Sequence, residues 1–164
     1  MDINSVISVF VFLFGLCIGS FLNAAIYRLE QAKSLKGRSY CPHCKHQLAS
    51  VDLIPVLSFI LLRGKCRHCH KAISIQYPLV ELATASIFLV IFWMGNLSPV
   101  ALLFMFYIAS VLVFLFVYDL KHYIIPDKVL LPAIVVAVFY DVVISCQGTN
   151  VACIVNYGAG AGSL

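Results

Sequence analysis

The chain has 164 residues, 62% hydrophobic and 11% charged, with a mean hydropathy of +1.00. A soluble domain carries about 25% charged residues, and a chain this short cannot hide so much apolar surface in its own core. The composition therefore excludes a soluble globular protein and points to a polytopic membrane protein. The formal net charge of +4 is not a nucleic-acid footprint, because the cations cluster between apolar runs, where they act as a topology signal; no nucleic-acid partner is expected.

The first 27 residues predict a transmembrane helix. Ile3 to Tyr27 carry no formal charge, enough at 1.5 Å per residue to cross a hydrocarbon core of about 30 Å. The chain opens Met1-Asp2 and has no Lys or Arg before Arg28, so it lacks the basic start of a cleavable signal peptide. Leu16 before Cys17 argues against a lipoprotein site. Gly15 and Gly19 form a small-xxx-small pair that lets another helix come close, and Asn23, the one amide after residue 4 in this run, should face protein rather than lipid. Cys17, Cys146 and Cys153 read as small apolar packing residues.

Residues 28–75 form a loop that holds nine of the eleven Lys and Arg residues. The positive-inside rule places this loop in the cytoplasm and the N-terminus outside. Within it, Leu53 to Leu62 is too short to span and reads as an interfacial or packed segment. The loop also contains Cys41-Pro-His-Cys44 and Cys66-Arg-His-Cys69. Each Cys-x-x-Cys turn can bring two thiolates to one metal, and two such turns complete a tetrahedron. The spacing between them is close to the usual zinc window, and a reducing cytoplasm favours zinc over disulfides. Cys41, Cys44, Cys66 and Cys69 are thus expected to hold a structural zinc; four reduced thiols or redox pairs are the alternative. His43, His46, His68 and His70 are weaker ligand candidates.

Further spans are expected over residues 76–94, 100–118 and 129–146, with Pro78 and Glu81 in the first turn of the second, where a carboxylate suits the helix dipole. Val151 to Leu164 is apolar but too short to recross, so the sequence is expected to stop inside a fifth span. Residues 76–164 are read as the helices of one domain, incomplete at its C-terminal end, and no internal repeat is evident. Asp119 ends the third span after a long uncharged run. An ionisable group there marks either a functional site or an interfacial anchor partnered by Lys121 or His122. Asp127, just before the fourth span, suits a helix N-cap, and Asp141 is expected to be solvated at the outer interface.

Read in order, Gly19-Ser20-Phe21-Leu22-Asn23-Ala24-Ala25-Ile26-Tyr27-Arg28-Leu29, Cys-Pro-x-Cys, Pro55-Val56-Leu57-Ser58-Phe59, Arg63-Gly64-Lys65-Cys66-Arg67-His68-Cys69, Tyr77-Pro78-Leu79-Val80-Glu81-Leu82, Asp119-Leu120 and Ile125-Pro126-Asp127 resemble the bacterial type IV prepilin peptidases over nearly the whole chain. The resemblance implies an all-α, polytopic inner-membrane aspartic endopeptidase of four to five transmembrane helices with a cytoplasmic four-cysteine zinc loop. Such enzymes remove the leader of prepilins and pseudopilins on the cytoplasmic side, for pili or type II secretion. They then methylate the new N-terminal residue, usually phenylalanine, with S-adenosylmethionine. The first catalytic aspartate carries over to Asp119, whereas Asp127 matches a non-catalytic position. The second lies in a Gly-x-Gly-Asp motif that nothing in these residues matches: Gly158-Ala-Gly-Ala-Gly162 is followed by Ser163 and Leu164. Aspartic proteolysis divides its work between two carboxylates, so this chain alone is expected to cleave little. A methyltransferase-only fragment, with Glu81 as a candidate residue, and a non-catalytic zinc-ribbon scaffold are the competing readings.

Overall fold

A computed structural model describes residues 2–31, 34, 37–95, 97–123 and 126–148, with side chains as far as residue 144 in the last segment. It divides into two units, Met1–Ile124 and Ile125–Leu164. The described residues are helical apart from the turns of the cysteine loop, and no strand occurs among them.

In the first unit, α1 (Ile3–Glu30), α3 (Gln76–Trp93) and α4 (Pro99–His122) are long and apolar enough to cross a membrane. At 1.5 Å per residue α1 extends about 42 Å, which covers the hydrocarbon core and carries its last turns beyond it. The expectation of spans at these places is met. The short α2 (Leu57–Leu61) follows a 3₁₀ turn at Ser50–Leu53, so the apolar run of the loop folds into packed turns rather than a span.

The main contact is between α1 and α3, and the two glycines set it. A Cβ placed on Gly15 would lie 2.6 Å from Ala85 Cα, and one on Gly19 would lie 2.6 Å from Glu81 Cα. Only a residue without a side chain lets the two backbones approach so closely, and both glycines are buried. Farther along, the Trp93 indole donates to Ser8 Oγ at 3.1 Å. The α4 helix joins through Phe106, which stacks on Phe88 of α3 at a centroid distance of 4.2 Å, with Ala109 beside them. Ser98 caps α4 by accepting from the Ala101 N–H at 3.2 Å, and Pro99 occupies its first turn, both favoured placements.

Four local expectations are corrected. Asp119 does not end its helix: α4 runs on to His122 and closes at Tyr123, whose left-handed backbone turns its N–H onto the Asp119 carbonyl at 2.8 Å. Lys121 and His122 are not partners of Asp119. They pair with Glu30 of α1 at 3.0 and 3.3 Å, while the Asp119 side chain is exposed. Glu81 lies beyond the first turn of α3 and is not a dipole-favoured end group. Cys17 is exposed on α1 rather than packed; the Cys146 side chain and Cys153 lie outside the described residues.

The second unit contains α5 (Asp127–Gly148). The Pro126 carbonyl starts it by accepting from Val129 and Leu130. Asp127 sits in its first turn, where its charge suits the helix dipole, and Asp141 is exposed as expected. The small-residue stretch and the suggested fifth span lie outside the described residues.

Candidate functional site

The two Cys-x-x-Cys segments fold into near-identical knuckles. In the first, Cys41 N–H donates to His46 O at 2.9 Å and Lys45 N–H to Cys41 O at 3.0 Å. In the second, Cys66 N–H donates to Lys71 O at 2.9 Å and His70 N–H to Cys66 O at 3.0 Å. The outer bonds match as well: Leu48 N–H to Ser39 O, and Ile73 N–H to Gly64 O. Lys45 and His70 both take positive φ, 58° and 56°. Sequence reading missed this repeat, although its signal, Cys-x-His-Cys twice, is present.

The knuckles bring the four cysteines together. Their sulfurs all lie within 4.8 Å of one another, and Cys41 Sγ is 3.8 Å from Cys69 Sγ. A tetrahedral zinc with bonds of about 2.3 Å requires sulfurs about 3.8 Å apart, so the cluster fits such an ion and could hold it. Burial pushes the Cys41 thiol up, but the N–H groups of Cys44 and His43 and the thiols of Cys44 and Cys66 outweigh it and bring it down to about 7. At Cys69 the Lys71 N–H lowers the thiol, yet burial and the neighbouring thiols together drive it up to about 11. The Cys41 proton thus leaves more readily than that of an ordinary thiol, and the Cys69 proton is held harder. The four histidines stay out of the cluster. His46 and His68 instead pack against each other, centroids 3.5 Å apart and rings tilted by 36°, joining one knuckle to the other.

Two further clips hold the loop. Asp52 accepts from Arg67 at 2.8 Å and from the Ala49 N–H at 3.3 Å, with its side chain nearly inaccessible. Glu81 reaches out of α3 to accept from the Val56 N–H at 2.7 Å, with Ser20 of α1 as its other partner. Val56 presents that N–H from φ 59°, a strained conformation for a β-branched residue. The sequence contains no signal for this contact.

Between the knuckles and the helix pair lies a cleft of about 960 Å³, within the range of small-molecule sites. Ser20, Asn23 and Tyr27 of α1 and Tyr77 and Glu81 of α3 line one side; Arg38, Tyr40, Arg67 and Lys71 are among the residues of the other. Asn23 is 3% exposed and Glu81 6%. The Asn23 amide donates to Tyr77 O at 3.0 Å, but its buried Oδ1 has no hydrogen-bond partner. Asn23 faces protein, as the sequence suggests.

The sequence pattern of the bacterial peptidase A24 N-terminal domain matches residues 13–95, from the α1 glycines through both knuckles to the end of α3. The chain belongs to this family. It is 40% identical to a prepilin leader peptidase/N-methyltransferase of Myxococcus xanthus, over 80% of this chain and 39% of the relative. Against proteins of the same name it is 30% identical in Dichelobacter nodosus, over 90% of this chain and 62% of the relative, and 37% identical in Vibrio cholerae, over 76% and 53%. The chain thus spans between 39% and 62% of the length of these relatives. No solved structure matches it. The A24 N-terminal domain accounts for the glycines, the knuckles and the cleft, and Asp119 lies beyond the matched residues.

Proposed function

We propose that this chain serves prepilin maturation in the bacterial inner membrane, with its N-terminus periplasmic and residues 28–75 cytoplasmic. The cluster of Lys and Arg in that loop supports this orientation. Substrates would be prepilins or pseudopilins, met at the cytoplasmic face. Asp119 is the first carboxylate of the aspartic pair. Its partner matches nothing within these residues, so residues 1–164 alone are not expected to cleave the leader.

The reading rests most on the cleft beside the cysteine cluster. Its volume, its tyrosines and its cations suit S-adenosylmethionine, whose adenine can stack on aromatic faces and whose carboxylate favours arginine or lysine. Tyr27, Tyr40 and Tyr77 offer the faces, and Arg38 and Lys71 the charge. S-adenosylmethionine supplies an electrophilic methyl group. The chain would bind it, exclude water and hold the acceptor peptide. Cys41, Cys44, Cys66 and Cys69 would hold zinc, which has a structural role because all four coordination positions are taken by thiolates.

The test is to incubate the zinc-loaded chain in lipid nanodiscs with a leaderless pilin peptide and methyl-labelled S-adenosylmethionine. Label on the peptide α-nitrogen supports the reading. A zinc-loaded chain that binds neither compound overturns it in favour of a non-catalytic scaffold.

A further inference from the structure

We propose that Glu81 and Asn23 form an ammonium subsite at the helical floor of the cleft, which receives the α-amino group of the peptide to be methylated. The inference rests on the methyl-transfer reading above and assigns the acceptor's place within it.

Glu81 is a buried carboxylate on a membrane-spanning helix, and among the described residues no cation pairs with it. A charge in such a place is costly unless it is matched. The Val56 N–H and Ser20 satisfy only part of its capacity, since an ionised carboxylate can accept about four hydrogen bonds. Of the cations lining the cleft, Arg67 is paired with Asp52 and Arg28 donates to Gly37 O at 2.7 Å, and among the described residues neither these nor Arg38, Lys45 or Lys71 pairs with Glu81. Asp52, the other carboxylate of the cleft, is taken up by Arg67 and Ala49. Glu81 is therefore the carboxylate left to face an incoming cation.

Asn23 supplies the second observation. It lines the same cleft, and its Oδ1 is a buried acceptor lacking a donor, a state that ordinarily costs about 1–3 kcal/mol. A primary ammonium brings three donors and one positive charge, which matches an unpaired carboxylate and an orphaned amide oxygen together. In this cleft such a group comes either from the acceptor peptide or from the amino-acid end of the methyl donor, and the experiment below separates the two.

The chemistry closes on the same atoms. Glu81 accepts one proton from the α-ammonium and becomes neutral. The freed lone pair forms the new N–C bond as the S–C bond of a sulfonium methyl donor breaks, with both electrons remaining on sulfur. The product is a secondary ammonium and a neutral thioether.

The experiment measures binding to the zinc-loaded chain in nanodiscs of a short peptide with N-terminal phenylalanine and of its N-acetylated counterpart. The wild-type chain is expected to favour the free amine at least about tenfold, or about 1.4 kcal/mol. Glu81→Gln should lose that preference while binding the acetylated peptide as before. Should Glu81→Gln fail to fold, the wild-type comparison still decides: equal binding of the two peptides overturns the inference. It also falls if Glu81→Gln keeps the preference, or if the substitution weakens S-adenosylhomocysteine and leaves peptide discrimination intact, because the ammonium would then be that of the donor. The two readings fail separately. Glu81-dependent peptide binding without methyl transfer sinks the proposed activity alone; methyl transfer that Glu81→Gln leaves unchanged in rate and pH profile sinks the subsite alone.

Discussion

Glu30 at the end of α1 accepts from Lys121 in the last turn of α4, Nζ to Oε1 at 3.0 Å, and His122 Nε2 approaches the same oxygen at 3.3 Å. The pairing ties the end of α4, two residues from Asp119, to the helix that leads into the cysteine loop. The Lys121 and His122 side chains are each about 38% exposed, so solvent weakens the pairing and its contribution is at most about 1 kcal/mol. Glu30→Gln should therefore lower unfolding stability in detergent by no more than that. A variant that unfolds outright would show that Glu30 supports more than this pairing.

Gly19 makes a stronger demand. Any side chain there must push α1 away from the Glu81 backbone, which a Cβ would meet at 2.6 Å. Gly19→Ala should cost about 1–3 kcal/mol, typical of overpacking, and Gly19→Leu more. Equilibrium unfolding in mixed micelles measures this. Wild-type stability in Gly19→Ala would mean that the two helices do not cross at this point.

Removal of one thiol should empty the metal site. Cys66 is buried within the cluster, and three sulfurs leave an incomplete tetrahedron. Cys66→Ser should reduce bound zinc from about one equivalent per chain to a small fraction of that, and limited proteolysis within residues 37–75 should accelerate, because metal binding and folding of such loops are linked. Full zinc content in Cys66→Ser would rule out the four-sulfur site.

Metal uptake should also release protons. Cys69, held up to about 11, is protonated at pH 7.5, whereas Cys41, at about 7, is largely ionised. Zinc requires thiolates, so loading at pH 7.5 should release at least about one proton per ion. Protons compete with the metal, so zinc affinity rises with pH and weakens as the pH falls through about 7. A pH indicator in weakly buffered solution follows the release, and uptake without it would contradict the cluster's charge state.

Asp119 can be tested once a second carboxylate is available. In a protein extended to include one, Asp119→Asn should reduce leader cleavage by about 10²–10⁴-fold, the usual range for general acid–base groups, and leave methyl transfer unchanged. Undiminished cleavage would remove Asp119 from the aspartic pair.

The features that sequence makes legible here share a local cause. Gly15 and Gly19 announce a close helix crossing because they stand at one helical spacing in an apolar run, and Asn23 announces a protein-facing side because a lone amide cannot face lipid. The cysteines announce a metal site because two ligands sit in each tight turn. What sequence leaves hidden depends on distant backbone. The Val56 N–H reaches Glu81 only through a strained turn with no propensity signature. Glu30 meets Lys121 only after three helices have assembled. Asp119 looked terminal because charge usually ends a span, yet α4 continues to His122 and draws its closing partners from α1.

The strained Val56 lies in the stretch strung between the two knuckles. An ion clasping Cys41 and Cys44 to Cys66 and Cys69 would close that stretch into a ring and remove much of the freedom its open form would have. The ring carries the Val56 N–H to Glu81, so a chelator acting at the cysteines would be felt on α3, at a carboxylate that touches none of them. Loss of such an ion would then slacken the helical floor of the cleft as well as the knuckles, and the metal would serve as a remote tensioner of the helix pair.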